Sequence, residues 1–239
     1  SFLSSIHKLK KEIQNMKKNI FFRAVLLMLM GNMAFAAGDS QNTISSQQVE
    51  TSVVQAKEKI MRQNLIIDKF SVTVPNKLWS SDISEFKISG RKLYVCAIID
   101  VATRRIVGWA IALHMRDSIV HNAFKMAYGR NPNLAQQPYY HSDGGAQFTS
   151  KETTELVERS GFMKSVSRPG VPQDNQPIES FWKTIKREMP SIRYMNFDEA
   201  KMTIVKYIEL YYNSARLHSS IGYQCPNDFY DKLAIYLVY

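Results

Sequence analysis

The stretch Leu78–Leu113, LWSSDISEFKISGRKLYVCAIIDVATRRIVGWAIAL, decides the fold. Leu78 to Ile88 reads as a strand, and Leu93 to Asp100 (LYVCAIID) is a near-continuous apolar run of the kind that fills a central strand covered on both faces. Arg105 to Leu113 is a third strand. The connecting segments Ser89-Gly90-Arg91-Lys92 and Ala102-Thr103-Arg104 are short turns, which predicts an antiparallel meander.

Downstream the pattern alternates. Asp117 to Tyr128 has helical spacing through Ile119, Ala123 and Ala127, with Asp117 expected as its cap. Pro138 to His141 is a short strand running into an Asp143-Gly144-Gly145 turn, and Ser150 to Arg159 is a helix closed by Gly161. Met163 to Ser167 is a further strand, followed by a Pro- and Gly-rich loop, Arg168 to Asn175. A helix starts near Pro177, whose missing N–H has no partner to lose in a first turn. The last long helix opens at an Asn196-x-x-Glu199 cap and is expected to place Ala200, Ile204, Ile208 and Tyr211 on one face. The sum is an α/β domain, a mixed sheet flanked by helices.

Upstream the texture differs. Residues 16–37, MKKNIFFRAVLLMLMGNMAFAA, have the basic start, short apolar run and Ala-Phe-Ala ending of a secretory signal peptide, yet fifteen residues precede Met16. The run is too short and interrupted for a transmembrane helix. Two readings stay open: an amphipathic helix, or a leader joined to an unrelated downstream frame. The expected division is therefore an atypical segment over 1–69 and a catalytic core with a C-terminal helical extension over 70–239.

A formal charge of +10 on 239 residues favours an acidic partner, nucleic acid before an anionic membrane. Lys8, Lys10, Lys11, Lys17, Lys18 and Arg23 supply much of that excess. Cys96 and Cys225 are far apart and read as reduced thiols of a cytoplasmic protein. The five histidines lack zinc-ligand spacing, so no structural metal is expected.

Three acids stand out, each with a bland explanation. Asp82 is mid-strand on the face of Ser80 and Ser84, where Asp is disfavoured unless that face is simply exposed. Asp143 falls at a strand's carboxyl end before two glycines, where α/β sheets collect ligands and where plain Asp-Gly turns also occur. Glu179 lies thirty-six positions later in a helix's first turn, where the macrodipole favours any carboxylate. Lys183 and Lys186 share its face, either as ion-pair partners or as cations beside a phosphate.

Taken together, the motifs VPNKLWSSDIS, YVCAIIDVATRRIVGWA, HSDGGAQFTS, SRPGVPQDNQPIESFWKTIKRE and YYNSARLHSSIGYQCP resemble a known family. It is the D,D(35)E catalytic core of retroviral integrases and insertion-sequence transposases, closest to the second-frame transposase of two-frame elements. The resemblance covers Phe70 to about Phe229. It implies a ribonuclease-H-like, mixed five-stranded sheet flanked by helices. It also implies two Mg²⁺ (or Mn²⁺) ions held by Asp82, Asp143 and Glu179, and cutting and joining of transposon ends. DNA contact at Lys186, with Lys183 beside it, follows from the same likeness. Arg216 lies in the YYN-x-x-R-x-H signature, as a phosphate contact or as a helix-end lock. Partners implied are DNA, further copies of the chain and an upstream-frame protein, with no membrane partner for the core.

Two features depart from the pattern. Where relatives commonly read HSDRGSQY, this chain has Gly144 for the Arg and Ala146-Gln147-Phe148 at the end, which removes a cation beside Asp143. Residues 1–69 do not resemble the helical DNA-recognition region that normally precedes the core. The alternatives are a metal-dependent nuclease and an inactive DNA-binding fusion or remnant of a transposase. His141 and Asp100 are left outside the triad.

Overall fold

The computed structural model describes residues 72–168 and 175–237, all within one compact unit, Gln55–Tyr239. The signal-peptide-like stretch 16–37, and 1–69 as a whole, lie outside the described residues. Five strands form one sheet: β1 (Leu78–Ile88), β2 (Arg91–Asp100), β3 (Ile106–Ala112), β4 (Tyr139–Ser142) and β5 (Met163–Val166). Their order is β3-β2-β1-β4-β5. The expected meander is present, since β1 pairs antiparallel with β2 and β2 with β3. The two later strands are parallel additions: β4 on β1, β5 on β4. A β-turn suffices for the first connections, whereas each parallel addition needs a crossover, and helices supply it.

Alternation on β1 and β2 divides the core into two layers. Trp79, Cys96, Ile98 and Val107 face α1 (Asp117–Arg130), together with Tyr140, Phe148, Val157 and Phe162. Val157 belongs to α2 (Lys151–Arg159). Leu93, Val95, Ala97 and Ile99 face the other way, onto Ile178, Phe181, Trp182 and Ile185 of α3 (Gln176–Glu188) and onto α4 (Phe197–Lys206). At β3 the backbone runs against α1 so closely that a Cβ on Gly108 would lie 2.4 Å from the Ala123 carbonyl and 2.7 Å from the Ala127 Cβ. Only glycine fits there.

Three local expectations need correction. Asp117 is not the cap of α1: Arg116 holds that position, without a side-chain hydrogen bond, and Asp117 lies in the first turn. The Asn196–Glu199 capping box does open α4, but the helix then widens into a π-helical segment, Tyr207–Tyr212. One extra residue in that turn moves the buried face onward, so Tyr212 is buried and Tyr211 is exposed. A final helix, α5 (Pro226–Leu237), was not foreseen. No helix among the described residues is long and apolar enough to cross a membrane.

Candidate active site

Strand register brings the first two acids side by side. The β1–β4 pairing ends at Ser81 opposite Ser142, so Asp82 and Asp143 are the next residues on two adjacent parallel strands. Such neighbours lie about 4.8 Å apart along the hydrogen-bonding direction. Asp143 sits just past its strand end, exposed, and its Oδ1 accepts the Gly145 N–H at 3.0 Å. Asp82 is still mid-strand. Its face is not open to water, since Ser80 and Ser84 beside it are buried. The exposed-face explanation for Asp82 is thereby removed.

What covers that face is α3. Asn175, which precedes the helix, accepts a hydrogen bond from Ser80 Oγ through Oδ1 and donates Nδ2 to the Ser81 carbonyl at 3.3 Å. Two turns on, Trp182 donates Nε1–H to Asp82 Oδ2 at 2.9 Å. Positions 175, 179 and 182 follow the i, i+4, i+7 spacing of one helical face. Glu179 therefore lies between two residues anchored to β1, and its carboxylate bears on Asp82. Further along, Trp182 meets the Phe86 ring edge-on at 6.4 Å, and Lys186 Nζ lies 5.5 Å from the same ring.

The electrostatics of Asp82 record this crowding. Burial first, then the charges of Asp143 and Glu179, push its carboxyl from 3.8 up to about 7, against hydrogen bonds from the Ile83 backbone and Trp182. Three acids thus share one field. They do not form a closed cage as they stand: among the described residues no three His, Cys, Asp or Glu side chains are gathered tightly enough to hold a metal ion. The donor set is nonetheless all carboxylate oxygen, the hard ligand type preferred by Mg²⁺ and Mn²⁺. A cation would relieve the mutual repulsion that raises Asp82.

The remaining candidates fall into two groups. Lys183 and Lys186 are exposed on the outer side of α3, and no ion pair joins Lys183 to Glu179 among the described residues. Arg216 is committed elsewhere. Its Nε and Nη2 donate to the two oxygens of Glu188 at 2.7 and 2.9 Å, and Tyr207 Oη adds a third bond to Glu188 at 3.1 Å. That bidentate pairing holds the Glu188 carboxyl down at about 2, chiefly through the Arg216 hydrogen bonds. His141 is fully buried between Ser165 Oγ and Ser167 Oγ, each 2.9 Å from a ring nitrogen. Asp100 is likewise buried, and binds the Asn76 N–H and the Thr103 N–H and hydroxyl.

Two functional residues escaped sequence reasoning, Asn175 and Trp182. Trp182 falls on the apolar stripe of α3 with Ile178, Phe181 and Ile185, but a buried indole N–H needs an acceptor, and that requirement points to a polar neighbour. Asn175 carried no such signal, because its partners are on a strand 94 and 95 residues away.

Comparison with known proteins agrees with this fold. An integrase core domain model matches residues 72–172, and a second integrase core domain model matches residues 160–226. The chain is 40% identical over 176 residues to the transposase for insertion sequence element IS904 of Lactococcus lactis, covering 71% of this chain and 67% of that protein. An uncharacterized 31 kDa protein of insertion element IS600 from Shigella sonnei is 37% identical over 170 residues, covering 71% and 62%. The putative transposase InsK for IS150 of Escherichia coli is 30% identical over 168 residues, covering 70% and 58%. The matched part thus spans roughly three-fifths to two-thirds of these relatives. Among solved structures, a chain from the simian T-cell lymphotropic virus intasome in complex with a PP2A regulatory subunit superposes with a TM-score of 0.52 at 12% identity. It covers 66% of this chain and 55% of that one, and shares the fold, a ribonuclease-H-like sheet flanked by helices.

Proposed function

Because this chain belongs to the integrase core family, alongside transposases of bacterial insertion sequences, we propose that it cuts and joins DNA ends as a DDE transposase. The observation that carries the reading is the Asp82 carboxyl, half-buried mid-strand, hydrogen-bonded by Trp182 and raised by burial and then by the charges of Asp143 and Glu179. A purely structural aspartate gains nothing from two acidic neighbours.

In this reading Asp82, Asp143 and Glu179 hold divalent cations, Mg²⁺ or Mn²⁺. Bound in a pair, such ions activate an attacking water or 3′-hydroxyl and stabilise the leaving oxygen. The protein's own contribution is placement. Trp182 and the Ile83 backbone orient the Asp82 carboxylate on its strand. Asn175 fixes the start of α3 against β1, which sets the reach of Glu179. Lys183 and Lys186 face the approaching phosphates from the outer side of the helix. For Arg216 we favour the lock over the phosphate contact, because its guanidinium is spent on Glu188.

The proposal extends to context. Residues 70–239 act as the catalytic core and 1–69 as a separate segment, in the cytoplasm. Its partners are DNA, further copies of the chain and an upstream-frame protein. An in vitro assay on labelled duplexes with Mg²⁺ tests the central claim: joined products are expected from the full chain. Nicking without joining points to a nuclease instead, and no metal-dependent product at all overturns both.

A further inference from the structure

A cavity of about 240 Å³ opens against the first turns of α3, the helix that carries Glu179. Its wall includes Arg104, Gln176, Ser180, Tyr212, His218 and Ser220. Gln176, Ser180 and Ser220 are exposed and form the mouth, while Tyr212 is buried and forms the floor. Pro177 also lines it; every other lining side chain carries a polar group, and none is acidic. Ser180 is the residue after Glu179, so the mouth and the proposed catalytic face share one helix.

Arg104 is the unusual member. It is half-buried, yet its guanidinium makes no hydrogen bond or ion pair among the described residues. The nearby acids are already taken: Asp100 by Asn76 and Thr103, Glu188 by Arg216. The Arg104 backbone holds φ at 64°, a left-handed conformation costly for a side chain of this size. Burial lowers the basicity of the group, with only the charges of Tyr212 and Asp100 opposing. A partly desolvated cation without a counter-ion is unfavourable unless something supplies one.

The histidine points the same way. His218 Nδ1 lies 3.4 Å from Arg216 Nη1. Its Nε2 is buried without a partner. The flanking guanidinium charges and burial hold the ring neutral by lowering its value to about 4. Cavity and wall therefore offer one free guanidinium, an unpartnered imidazole nitrogen and three hydroxyls, those of Ser180, Ser220 and Tyr212.

We propose that this cavity is an oxyanion subsite that takes one backbone phosphate of DNA, seating the strand beside Glu179. It rests on the transposase reading for its ligand, and on the uncompensated Arg104 for its charge. Free phosphate has the same chemistry, and the test separates the two sources.

DNA binding by the full chain is read by fluorescence anisotropy on a labelled duplex of arbitrary sequence, across a salt series without divalent cations. Arg104→Gln is expected to weaken binding several-fold and to reduce the salt slope by about one, the signature of a single lost phosphate contact. Arg104→Lys is expected to retain most of the slope. Ser220→Asp alters an exposed rim position without touching the core, and should weaken binding in the same way. In parallel, inorganic phosphate is titrated against the full chain and followed at the His218 imidazole resonances, with chloride as control. A saturable shift is expected, absent in Arg104→Gln. Unchanged salt slopes in both Arg104→Gln and Ser220→Asp overturn the proposal, as does a parent chain whose His218 ignores phosphate. A parent that binds phosphate in the cavity but no DNA overturns the transposase reading and the DNA source together, leaving a site for free phosphate.

Discussion

Asp82 and Asp100 lie on paired strands, both enclosed by protein and both raised by burial, yet their surroundings are opposite. Asp100, pushed up to about 6, is wrapped by donors: two backbone N–H groups and the Thr103 hydroxyl. Asp82, pushed up to about 7, has the Ile83 backbone and one indole N–H as donors and faces two further acids. An acid that serves the fold is given partners by the fold. An acid that serves a ligand is left short of them, and the shortage is what a cation can fill.

The comparison breaks first at the chemistry. Asp82→Asn, Asp143→Asn and Glu179→Gln should each lower strand transfer by roughly a thousandfold or more while DNA affinity stays near that of the parent. Turnover by any one of them at a tenth of the parent rate would remove that residue from the site. Asp100→Ala should do the reverse. It leaves buried donors unpaired at a cost of about 1–3 kcal/mol, seen as a melting temperature several degrees lower, with metal-dependent activity per folded molecule preserved.

Acidity sharpens the contrast further. A carboxyl at about 7 in the fold and near 3.8 unfolded binds its proton more tightly when folded. Stability from this group is therefore fully present below about 3.8 and is lost as pH rises through about 7. Without divalent cation, Asp82→Asn should be more stable than the parent at pH 8, and the gap should close by pH 4. Added Mg²⁺ should rescue the parent and not the variant. Equal pH profiles for the two in calorimetry would mean that Asp82 is not held among the other acids.

The smallest effect tests the side-chain donor to Asp82. Trp182→Phe keeps the ring against Phe86 and removes the Nε1–H. Activity is expected to fall about tenfold, with a higher Mg²⁺ requirement and unchanged DNA affinity. A variant that loses activity at every Mg²⁺ concentration, with its melting temperature collapsed, would mark Trp182 as packing alone.

Much of this was legible in the chain. Local apolar rhythm and turn residues located the five strands, the helices α1 to α4 and their approximate ends, because those signals are carried by residues near one another. The three acids and their order were legible as well, through their flanking motifs. What could not be read was long-range. That Asn175 would clamp Ser80 and Ser81 depends on a sheet register no local pattern encodes. Ser80 and Ser84 look like a solvent face until α3 is placed on them. The π-helical turn was invisible for a different reason: Tyr207–Tyr212 has the composition of an ordinary helix, and its extra residue is tolerated only because Asn213 finds β3 at the end of it.

That turn acts as a phase shifter. Asn213 closes on both backbone groups of Ile106 at 2.9 and 3.0 Å, as if it were one more residue of a neighbouring strand, and Arg216 and His218 follow in fixed rotation from it. Re-winding the same six residues, Tyr207–Tyr212, as a regular α-helix would give better local hydrogen bonding. It would also turn everything beyond by about 100°, one residue's worth of helical rotation. The Ile106 clasp, the Glu188 pair and the cavity beside Glu179 would all lose alignment at once. Here a more ideal helix makes a worse protein, and the irregularity keeps two distant parts of the molecule in time with each other.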